Sequence, residues 1–183
     1  MLKILIPKNE GIFRIAADEF ARLWRQVTGQ TLPVELADDG QSDLVVLGSD
    51  AVHAFTHEKI IAGVIPQFSL VTDGDTYQIV SAEEAGRRFL FIAGGRPRAL
   101  LYGVYHFFEL RADCRYFWDG DIIPEQKDID ISGMNVCEKP RFEYRGLRYF
   151  AHRSLKRFQA EHWDFAEWKQ EIDWIVKKRL NLF

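Results

Sequence analysis

Glu171 and Asp173 are the two closely spaced carboxylates nearest the C-terminus, and a carboxylate pair can divide the work of a general acid and a general base. On a helix, residues two apart point in different directions. Both are therefore read as solvated helix charges, and no catalytic residue is assigned. His57-Glu58 opens like the zinc helix HExxH, but the second histidine position holds Ile61, so the ligand pair is missing. Gly94-Gly95-Arg96-Pro97 precedes a helical pattern, where a helix N-terminus could cradle a phosphate. The stretch is neither GxGxxG nor a Walker A loop, and a structural turn with Pro97 in the first helical turn is the favoured reading. No cofactor and no metal is expected. His106 lies on an apolar helix and reads as a hydrogen-bonded core histidine.

Composition narrows the partners. The 183 residues carry 24 Lys+Arg against 27 Asp+Glu with no long run of one sign, which argues against nucleic acid. The most basic cluster, His152, Arg153, Lys156 and Arg157, is better explained by a solvated loop than by a phosphate track. No stretch approaches the roughly 18 apolar residues of a membrane span. The opening Met1 to Pro7 is too short for a signal h-region and reads as a strand of a cytoplasmic protein. Cys114 and Cys137 have neither CxxC nor metal-ligand spacing, and their separation leaves a disulfide between them open.

The elements that would position these groups follow from periodicity. Ile12, Phe13, Ala16, Phe20, Leu23, Trp24 and Val27 recur at three- and four-residue steps, predicting a helix that stops at Thr28-Gly29. Residues 32–36 and 43–47 read as strands, and 50–62 as a short helical or irregular piece. Asp73-Gly74-Asp75 ahead of residues 77–80, and Gly86 ahead of residues 89–93, point to antiparallel pairing with a DG turn. A helix from about Pro97 to Leu110 is apolar nearly all round and should be the buried central one. Short strands at 116–118 and 129–131 close the unit, with a domain boundary near Pro140. Beyond it come a strand over 142–150, a helix from about Trp163 to Lys178 with Phe165, Trp168, Ile172, Ile175 and Val176 on one stripe, and the start of another strand. The expected fold is α+β, a sheet packed with two main helices over residues 1–140, followed over 141–183 by the first βα unit of a truncated β/α barrel. The apolar tail must pack on the first domain, pair with a second copy, or be mobile.

Three stretches carry a family resemblance: residues 94–109 (GGRPRALLYGVYHFFE), residues 140–146 (PRFEYRG) and residues 168–174 (WKQEIDW). Together they resemble the N-terminal domains of alpha-N-acetylglucosaminidases, alpha-glucuronidases and family-20 beta-hexosaminidases. The resemblance implies a non-catalytic domain ahead of a catalytic barrel, acting on carbohydrate through the full-length protein, with the catalytic carboxylate pair downstream of Phe183. It also implies that Arg145, matching the arginine at the end of the first barrel strand, donates to hydroxyls of the terminal sugar. A guanidinium fork suits two neighbouring oxygens. Arg153 fits a second arginine of that family, whereas the aspartate that accompanies it there has no counterpart in residues 146–153. His152 and Arg153, just after a barrel strand, are the other candidate sugar contacts, because barrel loops carry function. Trp163, Trp168 and Trp174 could stack on sugar rings, but core packing is favoured for the set. The competing reading is a carbohydrate-binding or protein-interaction module whose aromatic C-terminal segment docks a partner or forms a homodimer.

Overall fold

The computed structural model describes residues 1–146 and 162–182. A six-stranded sheet has the order β2-β1-β3-β5-β4-β8, built from β1 (Leu2–Leu5), β2 (Val34–Glu35), β3 (Asp43–Leu47), β4 (Tyr77–Glu84), β5 (Arg87–Gly94) and β8 (Asn135–Glu138). β1, β2, β3 and β5 run parallel, and β4 is antiparallel to both of its neighbours. The fold is α/β, a mixed sheet with four helices.

Alternation along the strands sorts the core into two layers, as a period of two requires. Ile4, Val45, Leu47, Ile79, Leu90 and Ile92 face α1 (Gly11–Thr28) and α3 (Pro97–Arg111), the two main helices. Leu5, Leu44, Val46, Phe89 and Phe91 face the other way, under α2 (Ala54–Ile61) and the segment carrying Ile65 and Phe68. α1 buries Ala16, Phe20, Leu23, Trp24 and Val27 of the predicted stripe and stops at Gly29, whose φ of 72° lets its N–H reach the Arg25 carbonyl at 2.9 Å.

α3 lies close against β5 because Gly103 has no Cβ; one added there would sit 2.5 Å from Ile92 Cγ2. Helix propensity alone favours alanine over glycine by about 1 kcal/mol. The clash should outweigh it, so Gly103→Ala is expected to lower stability by about 1–3 kcal/mol in urea unfolding.

Three expectations shift. The β4–β5 pairing is antiparallel, yet its turn is Ala85-Gly86, both at positive φ (52° and 77°), whereas Asp73-Gly74 lies before β4. That two-residue turn has the backbone twist a hairpin prefers. Residues 129–131 are not a strand. Ile129 and Ile131 are buried, but Asp130 accepts from the Ser132 N–H at 2.8 Å and turns the chain, and β8 follows as the edge partner of β4. The residues at 116–118 contribute to β6 (Arg115–Phe117), which pairs with β7 (Gly120–Ile122) in a separate ribbon.

Beyond Pro140 the described part of the predicted 142–150 strand is irregular, except that Gly146 makes a parallel bridge with Leu182 across α4 (Phe165–Lys177). α4 packs on α3 and β6. Of the predicted stripe, Ile175 is buried, while Phe165 and Ile172 are 83% and 52% exposed. Glu171, expected in solvent, is buried and accepts a hydrogen bond from Trp118 Nε1.

Both cysteines are free. Cys114 is buried, which pushes its thiol up to about 11, and Cys137 is exposed on β8. Iodoacetamide at pH 8 is therefore expected to label Cys137 alone until denaturant is added; mass spectrometry of the native protein carrying label on Cys114 would contradict this packing.

Candidate functional site

The residue singled out from sequence, Arg145, sits where the chain leaves the sheet domain and meets the end of α4. Its guanidinium is committed within the chain. Nη2 donates to Asp75 Oδ2 at 2.7 Å, Nε to the Arg179 carbonyl at 2.9 Å, and Nη1 to the carbonyls of Phe142 (2.8 Å) and Glu143 (3.2 Å). The group also lies 5.9 Å from the centre of the Tyr102 ring. In this structure the fork bonds four chain oxygens.

Asp75 is the hub of this junction. Its side chain is 3% exposed, and it accepts from Arg98 Nε at 2.8 Å, from Arg145, and from Asn181 Nδ2 at 2.8 Å. The loop before β4 supplies the acid, α3 supplies Arg98, and the chain after α4 supplies Asn181. Asn181 also bonds the backbone of the opposite segment, accepting from the Arg145 N–H and donating to the Glu143 carbonyl. Burial by itself raises the carboxyl pKa of Asp75, but hydrogen bonds from Arg98, Arg145 and Asn181 outweigh it and hold the group below its ordinary value. A carboxylate kept ionised in this way is unsuited to donate a proton. The sequence presents Asp75 only as part of a turn. No local pattern marks it, because its partners lie 23, 70 and 106 residues away.

Further ties fasten the same junction. Tyr102 donates to the Leu180 carbonyl at 2.9 Å, Arg179 pairs with Glu109, and Lys177 pairs with Asp121. A hollow of about 260 Å³ opens beside the hub, lined by Val71, Arg96, Phe142, Glu143 and Arg145. A second, of about 220 Å³, lies between Tyr77, Tyr102, Glu138 and Arg179. His106 donates or accepts at Tyr77 Oη, 2.9 Å from Nδ1, and burial lowers its pKa, so it is a neutral hydrogen-bonded ring as expected. His152 and Arg153, the other two candidate sugar contacts, lie outside the described residues. Trp174 is half-buried with its indole Nε1 out of solvent, and Trp163 and Trp168 meet edge to face with centroids 5.2 Å apart. Among the described residues no three His, Cys, Asp or Glu side chains converge as a metal site would need. No described helix is long and apolar enough to cross a membrane.

The fold of this chain resembles part of a family-20 hexosaminidase. The GH20 beta-N-acetylhexosaminidase from Streptomyces coelicolor A3(2) superposes with a TM-score of 0.50 at 17% identity, over 79% of this chain and 23% of that one. A mutant Streptomyces plicatus beta-hexosaminidase in complex with product (GlcNAc) matches with a TM-score of 0.47 at 17% identity, over 78% and 23%. The chain thus spans about a quarter of the length of these enzymes. No protein-family model and no curated protein sequence matches it.

Proposed function

We propose that this chain is the non-catalytic N-terminal domain of a glycoside hydrolase acting on a terminal N-acetylhexosamine or uronic acid, together with the opening βα unit of its barrel. The fold likeness to part of a beta-N-acetylhexosaminidase carries this reading, and the parallel Gly146–Leu182 bridge across α4 supports the barrel opening. In this reading residues 1–140 buttress the barrel and residues 141–183 begin it. The Asp75–Arg145–Asn181 clamp sets the angle between them. Arg145 is then a positioning residue for the sugar pocket, and His152 and Arg153 are its proposed sugar contacts. The acid and base, which in glycosidases stand about 5–10 Å apart, come from elsewhere in the enzyme. Two free cysteines suit a cytoplasmic setting.

The test is hydrolysis of aryl N-acetylglucosaminides and glucuronides by this chain and by one continuing past Phe183. The 183-residue chain is expected to be inactive and the longer one active, with Arg153→Ala raising KM. Turnover by the short chain would overturn the assignment.

A second reading, an interaction module that docks a partner or its own copy through the C-terminal segment, is favoured by the exposure of Phe142, Tyr144, Phe165 and Ile172. Sedimentation velocity separates the two. A concentration-dependent dimer lost on Phe165→Asp would favour the module.

A further inference from the structure

α2 is the helix least engaged by other elements, yet it roofs one of the two core layers. It fully buries only Thr56, whose Oγ1 donates to the Gly48 carbonyl at 3.0 Å. It rests on the sheet through Phe55, whose ring centre lies 5.9 Å from that of Phe89 and 6.4 Å from that of Phe91. The residue at its N-cap, His53, makes no side-chain capping bond. Its ring is turned inward instead, and the residue is 5% exposed.

The two ring nitrogens of His53 differ. One donates to the Leu5 carbonyl at the end of β1. The other, Nε2, is buried and has no hydrogen-bond partner among the described residues. The donor is therefore Nδ1, and the Nε2 lone pair points into protein. Leaving a buried acceptor unpaired costs far less than burying a cation that has no acceptor. The charged side chains of the surrounding elements are engaged elsewhere. Lys8 pairs with Glu10, Asp50 holds Gln67, and Lys59 pairs with Glu84, while His57 and Glu58 are exposed. Phe55, edge-on to the His53 ring, already faces Lys59 Nζ at 5.1 Å. A proton on Nε2 would also set a positive charge at the positive end of α2. Burial accordingly pushes the His53 pKa down from 6.5 to about 4.

We propose that His53 is an acid-released latch: a proton on Nε2 frees α2 and uncovers the apolar layer of Leu5, Leu44, Val46, Phe89 and Phe91 beneath it. α2 gives way before the sheet, because α1 and α3 hold the strands on their other face. The open state takes up the proton from about pH 6.5 and the closed state only near 4. Opening therefore grows about tenfold per pH unit across that window and is constant below it. The window lies above the one in which Asp75, Asp38 and Asp43 lose their contributions. The latch does not depend on the hydrolase reading and would hold if that reading failed.

Amide hydrogen exchange in the 183-residue protein, corrected for intrinsic rates, tests it. From pH 7 to 4.5 the opening equilibrium read by residues 57–62 should rise on the order of fiftyfold, while the amides of β3 and β5 keep their protection. His53→Asn retains a donor for the Leu5 carbonyl but cannot titrate, so its α2 should open equally at both pH values. Imidazole nitrogen shifts of the native protein give a reading that needs no variant: His53 should stay neutral, with its proton on Nδ1, down to about pH 5. Protection of α2 that is flat across the window, strand amides lost in step with it, a His53→Asn protein that follows the native profile, or a His53 that titrates near its ordinary value would overturn the latch.

Discussion

Asp75→Ala is expected to remove about 3–5 kcal/mol of unfolding free energy, the usual cost of leaving one partner of a buried ion pair unsatisfied. The side chain is 3% exposed, and its loss leaves the Arg145 guanidinium, itself only 16% exposed, without its counter-charge and removes one of the two acceptors of the Asn181 amide. Arg98 is the more exposed partner at 39%, so Arg98→Ala should cost only about 1 kcal/mol or less. Asp75→Asn keeps the volume and one acceptor oxygen but turns an amide donor toward a guanidinium or the Asn181 amide, and falls between the two. Urea unfolding at pH 7 ranks the three variants. A loss under about 1 kcal/mol for Asp75→Ala would mean that the clamp does not hold the junction.

The same carboxylate has a pH signature. Its folded pKa lies below the unfolded value, so its contribution is fully present above about pH 4 and is lost as pH falls through the lower folded value. Asp38, bonded by Arg87, and Asp43, where bonds from Arg88 outweigh burial, are also depressed, so the native protein as a whole weakens in acid. The stability gap between the native protein and Asp75→Asn isolates the hub. It should be wide at pH 6 and close as pH falls below 4; a gap constant across that range would assign the loss to packing instead of charge.

What the sequence disclosed and what it hid divide along one physical line. α1 and α3 were legible because their apolar residues repeat at the helical period within a short window, and Gly29 and Pro97 mark their ends by local backbone chemistry. β4 and β5 were legible as short continuous apolar runs bounded by glycine, although Ala85 at positive φ hid the turn from a residue-type rule. Ile129 and Ile131 looked like a strand because burial and strand pairing leave the same apolar mark; here only burial applied. The site was half legible. Arg145 stood out through its motif, but what its guanidinium binds depends on Asp75 and Asn181, and nothing local links positions so far apart. Glu171 was misread because a carboxylate on an amphipathic helix belongs in solvent unless tertiary packing places an indole N–H against it, as Trp118 does.

The orientation of α4 makes Ile175 the residue on which its docking depends. Ile175 is 6% exposed against the sheet domain, whereas Phe165 on the same predicted stripe is 83% exposed. An aspartate at 175 must either bury an unpaired charge or pull α4 off α3 and β6, and the protein will take whichever costs less. The measured loss for Ile175→Asp therefore reports the docking free energy of α4 from below. With Arg179–Glu109, Lys177–Asp121, the Tyr102–Leu180 bond and the Asp75 clamp all spanning the same interface, that loss is expected to be about 3 kcal/mol or more in one cooperative transition. Phe165→Asp should stay within about 0.5 kcal/mol, as exposed positions do. If Ile175→Asp instead leaves the main transition unmoved and only frees α4 to proteolysis, residues 1–140 stand alone and the boundary near Pro140 separates two bodies. The expected outcome puts that boundary inside a single folding unit, with α4 and the Gly146–Leu182 bridge built onto the sheet of residues 1–140.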